Sequence, residues 1–238
     1  MYGLGTLINC AAIVLGGVLG WLFGKFLKER IQDGLTKACG VCTLFIGISG
    51  ALEGMLQVQD GGVVSGGSLL MIGCLALGTL LGEILNLEDL LERFGVWLRV
   101  KTKNTSDPRF VDAFVTASLT VCIGAMAIVG AIEDGLLGDI SILTTKAILD
   151  LIIIMVMTCA MGKGCAFSAI PVALLQGGVT ALSGLLRPVM TQAALGNLSM
   201  IGSVLIFCVG VNLVFGKKIR VANMLPAVVL AVIAAFLQ

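Results

Sequence analysis

Lys146 and Asp150 stand one helical turn apart inside the apolar run TKAILDLIIIM, residues 145–155. A four-residue spacing puts both side chains on one face of a helix. An ionised group at the centre of a bilayer costs roughly 2.5–3.5 kcal/mol on insertion scales, so it turns toward the bundle interior or a water-filled cavity. Two chemistries fit such a pair. Asp150 can bind a cation or a proton, with Lys146 as alternate counter-charge or anion contact. The two can also neutralise each other and serve only packing. Asn9, Ser49, Gln176 and Asn212 are further polar residues at comparable depth, and Thr116, Ser118 and Thr120 line one later span. Individually such groups make interhelical hydrogen bonds worth about 0.6–2 kcal/mol. Converging on Asp150 and Lys146, they would form a binding site for a small solute, a monovalent cation or a proton.

Catalysis has little to work with. Histidine is absent, which removes the commonest proton shuttle and metal ligand. There is no nucleophile–base–orienter set, no metal-ligand cluster and no phosphate-cradling glycine loop. No catalytic residue, metal or cofactor is therefore expected, and the chain reads as a non-enzyme. Of eight cysteines, Cys10, Cys42, Cys74, Cys122, Cys159 and Cys208 fall inside apolar runs, where cysteine behaves as a small hydrophobe. Cys39-Gly-Val-Cys42 has redox-motif spacing, but in a glycine-rich apolar helix it reads as packing. The net charge of +1 offers nothing to nucleic acid.

The elements that must hold these groups follow from composition. Of 238 residues, 58% are hydrophobic and 12% charged, about half the charge of a soluble domain. Successive runs of ~20 apolar residues can each cross a bilayer core. The fold class is all-α, a polytopic membrane bundle in the lipid bilayer. Its eight spans are expected near 3–24, 34–53, 66–84, 110–131, 140–162, 165–186, 195–215 and 222–238. The stretch LEDLLERFGVWLRVK (87–101) repeats apolar residues at helical spacing between charges. It reads as an interfacial amphipathic helix with Trp97 at headgroup level. A first apolar run without a basic leader reads as a retained span.

Basic residues sort the loops. Lys25, Lys28, Arg30, Arg93, Arg99, Lys101, Lys103, Arg109, Lys163, Lys217, Lys218 and Arg220 would all fall on one side of an eight-span chain. The opposite loops hold Glu53, Asp60, Glu133, Asp134, Asp139 and the single base Arg187. Both termini are then expected to be non-cytoplasmic.

The chain also repeats itself. Arg30-Ile-Gln-Asp33 and Gly50-Ala-Leu-Glu53 recur as Arg109-Phe-Val-Asp112 and Gly130-Ala-Ile-Glu133. Gly16-Gly17-Val18 recurs as Gly177-Gly178-Val179, and the Gly40 to Ile48 tract as Gly202 to Val211, which makes Ser49 and Asn212 equivalent. The expected organisation is one membrane domain, 1–238, with repeat-like units 1–86, 109–163 and 164–238 and a connector at 87–108. The last copy enters from the other side, an inverted repeat of the kind secondary transporters use. Pro171 and Gln176-Gly177-Gly178 are expected to interrupt the sixth span, and Gly16-Gly17 the first. Asn223 and Pro226 read as a helix start. Small-residue spacings at Gly16/Gly20/Gly24, Gly50/Gly54 and Gly78/Gly82 serve internal packing first, and also suit a homodimer face.

Gly5-Thr-Leu-Ile-Asn9, the double glycine of the first span, the FIGISGAL tract and IRVANMLPA (219–227) together resemble a bacterial membrane family of unknown function that includes YqgA- and YdfK-type proteins. The resemblance covers essentially the whole chain and implies a multi-pass protein of the bacterial inner membrane. It carries over no substrate and no functional residues. The function expected is a small secondary transporter or ion-coupled permease. Alternatives are an oligomeric passive channel, lined by Thr116, Thr120 and Asn9, and a non-transporting assembly or regulatory protein.

Overall fold

A computed structural model describes residues 2–59 and 62–237, so Asp60, placed above on the acidic side, lies outside the described residues. The elements run α1 (Leu4–Gly24), α2 (Glu29–Met55), β1 (Leu56–Gln59), β2 (Gly62–Ser65), α3 (Ser68–Leu85), α4 (Leu87–Lys101), α5 (Phe110–Cys122), α6 (Ala125–Leu137) and α7 (Ser141–Met161). A 3-10 turn (Lys163–Ser168) leads into α8 (Ala169–Ala181) and α9 (Ser183–Leu186). There follow α10 (Gln192–Phe215), a second 3-10 turn (Val221–Met224) and α11 (Pro226–Ala234). Helices dominate because a chain in hydrocarbon must satisfy its backbone polar groups within each segment.

Among the described residues six helices are long and apolar enough to cross a membrane, and a seventh span is complete if α5 and α6 count as one. These two do not form the straight span expected at 110–131. They meet at a 63° bend, where Gly124 takes φ +147°, and α6 continues to Leu137. The last apolar segment is short. Its α-helix has 9 residues after a 3-10 turn of 4, below the ~20 a straight crossing needs. The loop after the second span contains an antiparallel hairpin, with Leu56 paired to Ser65 and Gln59 to Gly62.

The packing resolves into two compact units. The first comprises Met1–Cys39, Asp89–Cys122 and Met126–Arg187; the second comprises Gly40–Glu88, Ile123–Ala125 and Pro188–Gln238. Their borders cut across the repeat-like units, since α2 contributes to both.

In the first unit α1 and α7 run parallel in close contact. Gly5, Gly16, Gly20 and Gly24 face Leu143, Leu151, Met155 and Cys159 in that order. A methyl on Gly24 would sit 3.2 Å from the Cys159 backbone, and one on Gly16 would collide with the Leu151 carbonyl oxygen. The Gly16-Gly17 pair is therefore no break, and α1 is continuous through it. α8 likewise runs unbroken through Pro171 and Gln176-Gly177-Gly178, and the sixth span breaks instead at Leu182. A local double glycine weakens a helix in water, but in an apolar medium the backbone has no competing partner. α8 packs antiparallel on α1, with Gly17 beside Ala166 and Cys10 reaching the Ala169 carbonyl. Ile13, Ala117, Ile154, Met157 and Val172 form the dry core. At the start of α1, the buried Asp134 carboxylate accepts the Gly3 and Gly5 N–H groups at 3.1 and 3.0 Å, satisfying donors that a helix start leaves open.

The second unit repeats the antiparallel theme. Gly40, Gly47, Gly50 and Gly54 of α2 lie against Val214, Phe207, Ser203 and Met200 of α10, and Gly210 lies against Leu44. α3 meets α11 and the turn before it through Gly78 on Ala227 and Gly82 on Asn223. Every small-residue spacing noted in the sequence is thus used inside a unit. Asn223 does not cap its own helix. Its Oδ1 accepts the Glu88 N–H at 2.7 Å, at the start of α4, and Glu88 Oε2 accepts the Ala222 N–H at 3.0 Å. α4 follows its expected amphipathic course, with Leu98 buried and Trp97 exposed and stacked on Phe94.

Candidate functional site

α7 brings Lys146 and Asp150 to the middle of its length. Asp150 is the tenth of 21 residues, about 15 Å along a helix that rises 1.5 Å per residue. Both side chains turn inward, with 8% and 3% of their residue surface exposed. The ammonium contacts both carboxylate oxygens, at 2.8 Å to Oδ1 and 2.7 Å to Oδ2. In this state both carboxylate oxygens contact the ammonium of the same helix.

Two more of the six expected site residues join the pair. The parallel packing of α1 sets Asn9 level with Lys146, and the Asn9 amide lies near enough to Asp150 to act on the carboxylate. α8 supplies Gln176, whose Oε1 accepts from Asn9 Nδ2 at 3.3 Å. Asn9 and Gln176 are 0% and 1% exposed. Each keeps one polar atom without a partner in the structure, Asn9 Oδ1 and Gln176 Nε2. A buried amide group lacking a partner costs about 1–3 kcal/mol, so this corner holds spare hydrogen-bonding capacity beside a charge pair.

Ser49 and Asn212 belong to the second unit. Ser49 lies on an exposed stretch of α2. Asn212 is occupied locally: its Nδ2 donates to the Ile219 carbonyl at 2.7 Å, and its Oδ1 accepts the Lys218 and Ile219 N–H groups at 2.9 Å each. It ties the turn after α10. On α5, the Ser118 and Thr120 hydroxyls donate back to the Phe114 and Thr116 carbonyls.

Sequence reading missed three kinds of residue. Cys10 and Cys122 come within electrostatic range of the Lys146–Asp150 pair; as cysteines in apolar runs they carried no distinguishing signal. Asp134 was read as a loop acid, although its spacing from Gly130 already suited a continuing helix. Glu88 was read as an interfacial charge, yet it is buried and also takes Lys217 Nζ at 3.0 Å. Among the described residues no group of three or more His, Cys, Asp or Glu side chains could hold a metal ion. What the first unit can offer is a carboxylate, an ammonium and two carboxamides from three helices, a set able to supply oxygen ligands to a small monovalent cation.

Two proteins resemble this chain over nearly its whole length, and one of them is named a membrane protein. The protein named "Uncharacterized protein YqgA" of Escherichia coli K12 is 31% identical over 232 residues, covering 96% of this chain and 94% of that protein. "Uncharacterized membrane protein YdfK" of Bacillus subtilis 168 is 28% identical over 232 residues, covering 98% and 95%. No solved structure matches. The family model described as "Protein of unknown function (DUF554)" matches residues 4–236, and the chain belongs to that family.

Proposed function

We propose that this protein is an ion-coupled secondary transporter of a small solute or ion in the bacterial inner membrane, with Asp150 as the coupling group. The observation that carries the reading is the unpartnered Asn9 Oδ1 and Gln176 Nε2 beside the buried pair. Open polar atoms beside a buried charge pair are capacity that a bound ion or solute would use. In the mechanism, Lys146 holds the carboxylate while no cation is bound. An entering monovalent cation or proton takes over Asp150, helped in the case of a metal cation by Asn9 Oδ1. The released Lys146 ammonium then gives an anionic group of the solute a place to bind. Exchange of one counter-charge for another avoids leaving a naked carboxylate at the midplane.

The helix pairs add support. α1 with α8, α2 with α10, and α3 with α11 are the pairs that the inverted repeat makes equivalent, and each packs antiparallel within its unit. In α2 and α10 the contact is reciprocal, Gly47 on Phe207 and Gly210 on Leu44. Near-equivalent positions facing each other on antiparallel helices are what a two-fold axis in the membrane plane would produce, and such an axis lets two halves exchange inward- and outward-open shapes. Basic side chains gather accordingly: Lys25, Arg109 and Lys163 meet at one end of the first unit, and Lys217 and Arg220 at one end of the second. In this reading those ends are cytoplasmic and the N-terminus is not.

The test is thermal unfolding of purified protein in lithium, sodium and potassium chloride and across pH, with choline chloride as control. At a hundred times its dissociation constant, a cation adds about 2.7 kcal/mol. The wild type should respond to one ion or to pH, and Asp150→Asn should not. An indifferent wild type, or a variant that responds equally, overturns the assignment.

A further inference from the structure

We infer that the first unit carries a specific site for an anionic phospholipid, at the end where α1, α7 and the turn before α8 meet. Lys25 Nζ lies 3.5 Å from the centre of the Trp21 ring, and Lys163 Nζ lies 4.9 Å from the same centre. An indole face attracts one cation well. Two ammonium groups around one ring repel each other, and an anion between them relieves that repulsion. Arg109 lines the same polar recess, of about 200 Å³, with Asp107 as the acid among its lining residues. Three bases face one acid, so the recess favours a negatively charged group.

The recess does not stand alone. It shares Trp21 and Lys163 with an apolar groove of about 480 Å³ that runs toward the bilayer centre between α1 and α8. Gly17 forms part of its floor, and Val14 and Val18, each about half exposed, form one wall. Any acyl chain can cover an apolar groove in a membrane. A groove whose mouth is a tryptophan between two lysines selects the chain attached to an anionic headgroup. The geometry matches one lipid: phosphate in the recess lined by Lys25, Arg109 and Lys163, glycerol at the indole edge, and a fatty chain along Val14, Val18 and Ile170. Basic pockets between spans on the cytoplasmic side bind acidic headgroups in this way. The inference is independent of the transport reading, since it uses neither Lys146 nor Asp150.

Trp21 reports directly. The chain has two tryptophans, and Trp97→Phe leaves Trp21 as the single fluorophore. Titrating this variant in mixed micelles with brominated phosphatidylglycerol or brominated phosphatidylcholine measures how closely the chain approaches the indole. Phosphatidylglycerol should quench Trp21 at a concentration at least about fivefold lower, the preference expected from even one headgroup-lysine contact. Lys25→Gln with Lys163→Gln should erase that preference while leaving quenching by phosphatidylcholine unchanged, and Val18→Phe should weaken quenching by both. Equal quenching by the two lipids in the Trp97→Phe protein, or none, overturns the site. So does protection by inorganic phosphate alone at millimolar concentration, which would assign the recess to a free anion.

Discussion

A double-mutant cycle on Lys146 and Asp150 separates a pair that only holds helices from one that is exchanged. The two oxygens of Asp150 lie 2.7 and 2.8 Å from the Lys146 ammonium, with almost no surface exposed. Removing one partner of a buried pair strands the other charge and costs about 3–5 kcal/mol. Lys146→Met and Asp150→Asn should each lose that much. The double variant Lys146→Met/Asp150→Asn leaves no charge behind and should lie near wild type, since removing both members of a buried pair together strands neither charge. The coupling energy is then about 6 kcal/mol or more, above the range of about 0.5–3 kcal/mol usual for neighbours. Unfolding in lipid–detergent bicelles, read by tryptophan fluorescence, measures each corner. Adding the stabilising cation to all four proteins completes the assay: the wild type should gain about 2.7 kcal/mol at a hundredfold excess over its dissociation constant, and the double variant nothing. A double variant as stable as predicted that still responds to the ion would refute the role given to Asp150. Additive single losses would refute the premise that the charges depend on each other.

The glycine packing predicts opposite signs at two positions of similar sequence. Gly16→Ala should lose about 1–3 kcal/mol from overpacking against the Leu151 carbonyl, whereas Gly177→Ala, with no neighbour within 4 Å, should be neutral or gain up to about 1 kcal/mol from helix propensity; melting temperatures in one detergent compare them. Asn223→Ala removes the acceptor of the Glu88 N–H and should cost about 1–3 kcal/mol by leaving that donor buried and unpaired, which the same melts will show. For orientation, Ser65→Cys and Asn104→Cys in a cysteine-free chain should react with an impermeant maleimide from the outer and inner faces respectively; labelling of both from one face would contradict the proposed topology.

Much of the helical layout was legible because hydrocarbon leaves the backbone one solution. The amphipathic 87–101 segment and the spans of α1, α3, α7 and α10 followed from apolar length and charge spacing. The hairpin after α2 had its own signal in the sequence, an Asp-Gly dipeptide following the alternating Leu-Gln-Val-Gln stretch. The bend at Gly124 had no such signal, because glycine in an apolar run marks a break and a close packing face equally well. That ambiguity misled at Gly16-Gly17 and Gly177-Gly178, where neighbours or the helix itself settle the matter.

For the site, the four-residue spacing of Lys146 and Asp150 is a local property, and so their contact was decided by the chain as written. Which of the other polar residues stand with them was not. Asn9 and Gln176 are 167 positions apart and meet because glycine faces on α1 let α7 and α8 approach, while Asn212, equally polar and equally deep by sequence, turns to the backbone of Lys218 and Ile219. Composition alone determined that this chain lives in a membrane as helices, because that depends on a sum over residues. The company each buried polar atom keeps depends on contacts between distant helices, and only the tertiary packing could decide it.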